Sequence, residues 1–241
     1  MVYEEKFRTG LKDIGKDNRI KNRALLEYLE NIGTYHSDLV GYGVNDISRT
    51  NIAWVLLDWK LEVKRRPKYG EILNIKTWGR EANKFFTHRD FEIYDQNNKL
   101  CAIASSKWAV FDMKTRKMTK LTDEIIEKYQ LEEKSVFINE KMDKIKEPKE
   151  FEHQIKYTVK RKDIDINNHM HNLYYLDLAY EALPEDVYNK RPFDKVRITY
   201  KKEIQLGEDV ICKYTKEGGK HIIVIKSNDE QNTHAIIELE K

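Results

Sequence analysis

The constraint that outweighs all others in this chain is that one pattern is written twice. Set without gaps, DIGKDNRIKNRALLEYLENIG from Asp13 runs parallel to DIDINNHMHNLYYLDLAYEAL from Asp163, matching Asp13 with Asp163, Ile14 with Ile164, Asn18 with Asn168, Asn22 with Asn172 and Leu26 with Leu176. Identities in so short a window are weak evidence alone. The order of the downstream segments carries the weight, because recurrence at a fixed offset marks a duplicated structural unit.

After the first copy, Leu25, Leu26 and Leu29 recur at helical spacing in ALLEYLENIG. A period-two segment comes next, with Ala53, Val55, Leu57, Trp59, Leu61 and Val63 alternating with Trp54, Leu56, Asp58, Lys60, Glu62 and Lys64, which predicts one long strand. A turn near Pro67 and Gly70 leads to ILNIKTW, FFTHRDFEIY, a DQNN turn and KLCAIASSKWAVFD. The second copy repeats this order with a helix NLYYLDLAYEAL, a strand DKVRITYKKEI, a turn at Gly207, then VICKYT, HIIVIKS and HAIIELE separated by short polar turns. Each half therefore reads as a strand, a helix and about four antiparallel strands. One helix covers only one face of such a sheet, so the prediction is an α+β chain of two halves, edge to edge, with two central helices.

Composition narrows the function. Lys and Arg number 44 against 41 Asp and Glu, a net charge of +3, too small an excess to argue for nucleic acid. No long apolar run is present to span a membrane, and MVYEEKFRTG reads neither as a signal peptide nor as an Arg-rich presequence. Cys101 and Cys212 sit in apolar alternating segments without ligand spacing and are expected to be core residues in a reducing compartment.

The densest polar stretch is DIDINNHMHN at 163–172. Asp165, Asn167, His169 and His171 stand at two-residue spacing, so an extended backbone would line them along one face. A solvated turn that caps the following helix would explain one such residue rather than four. In the upstream copy the positions of Asp165, Asn167 and His169 hold Gly15, Asp17 and Arg19. The pattern has been kept there and the polar set has not, which predicts a single site in the second half. A metal held by His169, His171 and Glu203 ranks below a metal-free site. His36, His88, His153, His221 and His234 are expected at the surface. Trp54, Trp59, Trp78 and Trp108, all in first-half strands, are expected in the core, or as walls of an apolar slot.

Two stretches carry a resemblance to a known family. Asp165-Ile-Asn167-Asn-His169-Met-His-Asn172-Leu-Tyr-Tyr175 is similar to the Asp-x-Asn-x-His-x-Asn-Asn-x-x-Tyr signature of the acyl-acyl carrier protein thioesterases of plants and bacteria, and TYKKEI matches the segment in which that family carries a catalytic Glu, here Glu203. The resemblance covers essentially the whole chain. It departs from the plant pattern at Ile204, where Cys often follows the Glu, and at His171, where Asn is commoner.

The resemblance implies two tandem hotdog domains forming an intrachain pseudo-dimer: residues 1–140 with the acyl pocket and the degenerate site, a connecting segment 141–149, and a catalytic domain 150–241. It implies a catalytic set of Asp165, Asn167, His169 and Glu203, with no metal and no organic cofactor. The activity implied is hydrolysis of fatty acyl-acyl carrier protein to free fatty acid and carrier thiol, which ends chain elongation. An acyl-CoA thioesterase of the same fold, or a non-catalytic acyl-binding or dehydratase-like hotdog protein, are the alternatives. The expected partner is an acyl carrier protein bearing a fatty acyl chain, in a bacterial cytoplasm, with further association into a homodimer left open.

The residues suit that chemistry. Thioester hydrolysis needs a base for water, a site for the oxyanion and a proton for the departing thiolate. Glu203 faces opposite to Val196, Ile198 and Tyr200 if its strand is regular, so it is not simply a core position. Either Glu203 or Asp165 can serve as base, Asn167 can orient water or the carbonyl, His169 can hold or relay a proton, and N–H groups at the following helix start can meet the oxyanion.

Overall fold

A computed structural model of the chain describes residues 1–137 and 142–241. It divides into two compact units, Met1–Lys141 and Met142–Lys241.

The first unit runs β1 (Tyr3–Arg8), α1 (Asn22–Leu39), α2 (Ile47–Thr50), β2 (Ile52–Val63), β3 (Ile72–Ala82), β4 (Phe86–Asp95), β5 (Leu100–Asp112), β6 (Lys117–Thr119) and α3 (Asp123–Tyr129). The second runs β7 (His153–Thr158), α4 (Asn172–Glu181), α5 (Glu185–Tyr188), β8 (Lys195–Tyr200), β9 (Asp209–Glu217), β10 (Lys220–Ser227) and β11 (Thr233–Glu240). The first sheet has the order β1-β3-β4-β5-β2, with β6 also paired to β5, and the second has β7-β9-β10-β11-β8. All these pairings are antiparallel. The duplication read from the sequence is therefore a duplication of topology.

Helix α1 buries Leu25, Leu26, Leu29, Ile32, Gly33 and His36, the repeating i, i+3, i+4 stripe that an amphipathic helix turns toward a sheet. It runs beyond the apolar stretch that announced it, because His36 and Ser37 are also buried, and it stops where Gly41 adopts a φ of 79°. Helix α4 is shorter, ending at Glu181, and Pro184 then opens α5.

Strand β2 corrects the sequence reading. Trp59, Leu61 and Val63 are buried as the alternation predicts, but Val55 is exposed and Leu56 is buried. The register with β5 shifts between Leu56 and Asp58, and such a bulge inverts the phase of every side chain before it. Trp54 and Leu56 thus share a face with Trp59 instead of opposing it. Trp54 packs edge-on against Tyr129 of α3, ring centroids 5.5 Å apart, beside a cluster of Tyr42, Val110, Leu121 and Ile125. Trp59 and Trp78 lie fully in the core.

In the second unit, Ile145 packs with Ile222, Val224 and Ile236, and Glu147 accepts from Lys226 Nζ at 3.0 Å and from Thr233 Oγ1 at 2.8 Å. The expected connecting segment, 141–149, begins outside the described residues; its remainder forms no helix or strand, and Ile145 and Glu147 tie it to this second sheet. No helix among the described residues is long and apolar enough to cross a membrane.

Candidate active site

The segment 163–172 is not extended, so the expected alternation along one face does not hold. It folds back on itself. Asp165 N donates to His169 O at 2.9 Å, Asn168 N donates to Asp165 O at 3.1 Å, and Ile164 and Met170 form an antiparallel bridge. Asn168 takes a φ of 63°, a left-handed conformation that Asn tolerates better than most side chains. Asp163 braces the entry, accepting from Lys160 N at 2.8 Å and from Tyr157 Oη at 2.6 Å.

The Asp165 carboxylate gathers the turn. Its Oδ1 accepts from Asn167 N at 2.8 Å and His169 N at 3.2 Å, and its Oδ2 accepts from Asn167 Nδ2 at 3.4 Å. Asp165, Asn167 and His169 come together through this hub rather than through strand geometry.

Glu203 arrives from a second direction. Strand β8 ends at Tyr200, so Glu203 is not a strand residue with a defined face, contrary to the sequence reading. The regular ladder stops because the carbonyl of His234 accepts from both Lys201 N, at 2.8 Å, and Lys202 N, at 3.2 Å. The chain then meets the turn: Met170 N donates to Ile204 O at 2.8 Å, and His169 bridges Gln205. The result is a Glu203 Oε1 that lies 3.4 Å from His169 Nε2, with the Glu203 side chain 58% exposed and the His169 side chain 32% exposed. A carboxylate and an imidazole held at that separation, open to solvent, can pass a proton between water and a leaving group.

The first unit contains the same backbone turn. Gly15 N donates to Arg19 O at 2.8 Å, Asn18 N donates to Gly15 O at 3.0 Å, Asn18 has a φ of 56°, and Ile14 bridges Ile20. Asp17 Oδ1 accepts from Arg19 N at 3.2 Å, but neither the imidazole nor the hub carboxylate is present.

Comparison with known proteins shows the family. The family model for the acyl-ACP thioesterase N-terminal domain matches residues 1–129, and that for the acyl-ACP thioesterase C-terminal domain matches residues 145–241. The chain belongs to the acyl-ACP thioesterase family. Among curated members of this family it is 23% identical over 231 residues to the chloroplastic oleoyl-acyl carrier protein thioesterase 1 of Arabidopsis thaliana, covering 89% of this chain and 64% of that protein. It is 24% identical over 215 residues to the chloroplastic palmitoyl-acyl carrier protein thioesterase of Cuphea hookeriana, covering 84% of this chain and 52% of that one. The chain thus spans between about half and two thirds of the length of these relatives.

The acyl-ACP thioesterase fold, two tandem hotdog domains, is shared with solved structures. A Bacteroides thetaiotaomicron acyl-ACP thioesterase superposes with a TM-score of 0.88 at 22% identity, covering 99% of this chain and 97% of that one. The 12:0-ACP thioesterase of Umbellularia californica gives 0.87 at 17% identity, covering 99% and 96%.

Within this family member, three residues take places that the sequence reading did not assign to them. His171 Nδ1 accepts from Leu173 N at 3.2 Å and caps α4. Tyr175 is buried, with its hydroxyl pushed above the ordinary phenol range, first by burial and then by the charges of Glu203, Glu208 and Asp165. Its ring meets Tyr200 edge-on at 5.4 Å, and Tyr200 Oη donates to Asn172 O at 3.1 Å, which ties α4 to the end of β8. His234 was expected at the surface and is 3% exposed; His36 is likewise buried, in the first unit. The sequence around His36 (TYHSD) or His234 (NTHAI) gives no sign of the guanidinium or carbonyls that satisfy each imidazole, because those partners lie far along the chain. Among the described residues no group of three or more His, Cys, Asp or Glu side chains converges as a metal site would.

Proposed function

We propose that this chain hydrolyses fatty acyl-acyl carrier protein to free fatty acid and carrier thiol, using Asp165, Asn167, His169 and Glu203. The observation that carries this reading is the approach of Glu203 to His169 beside the Asp165 hub, in a chain of the acyl-ACP thioesterase family.

Glu203 is the base and Asp165 the organiser. Both Asp165 oxygens are occupied by the turn, whereas Glu203 is the more exposed carboxylate and faces an imidazole. Glu203 takes a proton from water, and the new hydroxide oxygen bonds to the thioester carbonyl carbon. The carbonyl oxygen becomes the oxyanion, which meets the N–H of Asn172, since Leu173 N and Tyr174 N are engaged by His171. Asn167 offers its amide to the attacking water. Collapse breaks the C–S bond, and the proton held by Glu203 passes through His169 to the thiolate sulfur. Atoms and charge balance with one water consumed.

The first unit shapes the acyl slot, and the residues around the turn receive the carrier. Ile166, 77% exposed, precedes His169 in the turn, and Leu206, 52% exposed, follows Glu203 in its segment; Arg161, Lys162 and Lys202 are exposed in the same two stretches of chain. Exposed apolar residues in segments that also carry exposed cations suit an acidic carrier. A reducing, cytoplasmic setting fits two buried cysteines, both unpaired.

The deciding experiment compares turnover of carrier-linked and CoA-linked thioesters of the same acyl chain. Preference for the carrier-linked form is expected. Equal or better turnover of the CoA form would move the chain to the acyl-CoA class, and acyl binding with no thiol release from either would make it a binding protein.

A further inference from the structure

His234, on β11, spends the hydrogen bonds of its imidazole on the segment that carries Glu203. Its Nδ1 lies 3.1 Å from the carbonyl oxygen of Lys202 and 3.1 Å from that of Glu203. Carbonyls only accept, so Nδ1 carries the proton and donates to both, which fixes the tautomer. In the reverse direction, the His234 carbonyl accepts the Lys201 and Lys202 amides at 2.8 and 3.2 Å. The other imidazole nitrogen, Nε2, is buried with no partner among the described residues, so the side chain is committed to this one task.

Residues 201–204 have no regular strand ladder of their own. They are held from one side by His234 and from the other by the Met170 N–H on the Ile204 carbonyl, with the Ile204 side chain fully buried between. Glu203 lies between these two anchors, and its exposed side chain faces His169. We infer that His234 is a positioning residue for hydrolysis, holding the Glu203 backbone where its carboxylate meets His169. This inference rests on the reading of Glu203 as the base. Loss of the Nδ1–H donor would free two carbonyls and let Glu203 drift, and a displacement of about 1 Å in a reacting group costs on the order of 100-fold.

The test uses three substitutions of His234 in the full chain, with kcat and KM measured on an acyl-carrier thioester and thermal unfolding measured alongside. His234→Leu keeps volume and removes the donor. His234→Asn puts an amide N–H near the place of Nδ1, and His234→Gln puts one near the place of Nε2. Expected are a kcat lowered by about 10- to 100-fold in His234→Leu with KM within about 2-fold, a kcat within about 3-fold of the parent in His234→Asn, and a loss in His234→Gln like that of Leu. Because His234 acts through Glu203, the double substitution Glu203→Gln/His234→Leu should be no slower than Glu203→Gln alone.

A folded His234→Leu with parental kcat, or losses that multiply in the double substitution, would overturn the inference. If His234→Leu does not fold, the Asn and Gln pair decides, and equal kcat in both would overturn it. A slow Glu203→Gln beside a normal His234→Leu sinks this inference alone, whereas a normal Glu203→Gln sinks the base assignment and this inference with it.

Discussion

Glu203 and His169 meet at 3.4 Å although neither lies on a regular strand: one follows the end of β8, the other closes a turn, and the Met170 to Ile204 backbone hydrogen bond joins the two segments. Their approach is therefore a property of two irregular segments stitched to each other. Irregular backbone between rigid elements is where functional side chains are commonly placed.

Glu203→Gln keeps shape and hydrogen bonding but removes the proposed base. Turnover should fall by about 10²- to 10⁴-fold, equivalent to about 3–5 kcal/mol of barrier, with an unchanged unfolding midpoint. Near-parental turnover from folded protein would transfer the base role to Asp165.

Asp165 and Asp17 occupy different places in two copies of one turn, and they should respond differently. Asp165→Ala removes the hub for Asn167 and His169 and should abolish most turnover. Asp17→Ala removes one exposed hydrogen bond to Arg19 and should leave turnover within about 2-fold, with stability changed by roughly 0.5–1 kcal/mol. Steady-state kinetics on both variants test this, and comparable losses would contradict the assignment of chemistry to the second unit alone.

His171 caps α4 through its Nδ1. His171→Ala should cost about 1 kcal/mol of unfolding free energy, and His171→Asn or His171→Ser should recover most of it. Chemical denaturation of the three variants measures this. A stability unchanged in His171→Ala would remove the cap from the account.

Acid should weaken the first unit through His36. Burial, then the charge of Arg89 and of the chain's amino terminus, pushes its pKa down to about 3, and Arg89 Nη1 donates to its Nδ1 at 2.9 Å. The folded state thus takes up the proton later than the unfolded state, whose imidazole titrates near 6.5. Stability contributed by neutral His36 is fully present above about pH 6.5 and is lost as pH falls from there toward 3, by about 1 kcal/mol per pH unit. His36→Asn retains an acceptor for Arg89 without a titrating ring. Urea midpoints at pH 7 and pH 5 should fall less between the two in that variant than in the parent, and parallel falls would refute the assignment.

Carrier recognition near the turn should be electrostatic. Raising salt should increase KM for a carrier-linked substrate more than for a small neutral thioester, since exposed charges are screened over about 8 Å at physiological ionic strength. Arg161→Glu together with Lys162→Glu should mimic high salt for the carrier substrate only. Equal salt effects on both substrates would argue against docking on this surface.

Much of the fold was legible because helices and strands announce themselves by period. The repeat carried the order of elements along the chain, and Leu25, Leu29, Leu61 and Val63 lie where their spacing put them. Phase was legible only as far as the backbone stayed regular: the bulge at Leu56 and Asp58 turned Val55 out and Leu56 in, and no local residue signals it. The candidate site was legible as a set of residues and illegible as a shape. Two-residue spacing suggested an extended face, while Asp165 bends the chain through bonds that any Asx-type turn can form. His171 shared the spacing and took another job. His36 and His234 looked solitary because the groups that satisfy them, Arg89 and the carbonyls of residues 202 and 203, lie far along the chain.

The turn that recurs at Gly15–Arg19 bears on what duplication leaves behind. Its backbone hydrogen bonds match those around Asp165 although its side chains differ, so the turn's persistence owes nothing to chemistry. The backbone bonds of the turn form without the side chains of its twin, which is read as catalytic. On the proposed reading the first unit is a natural knockout of the second, with the scaffold intact and the reagents removed, and it offers the ground on which an engineer could ask how few side chains turn a fold into a catalyst.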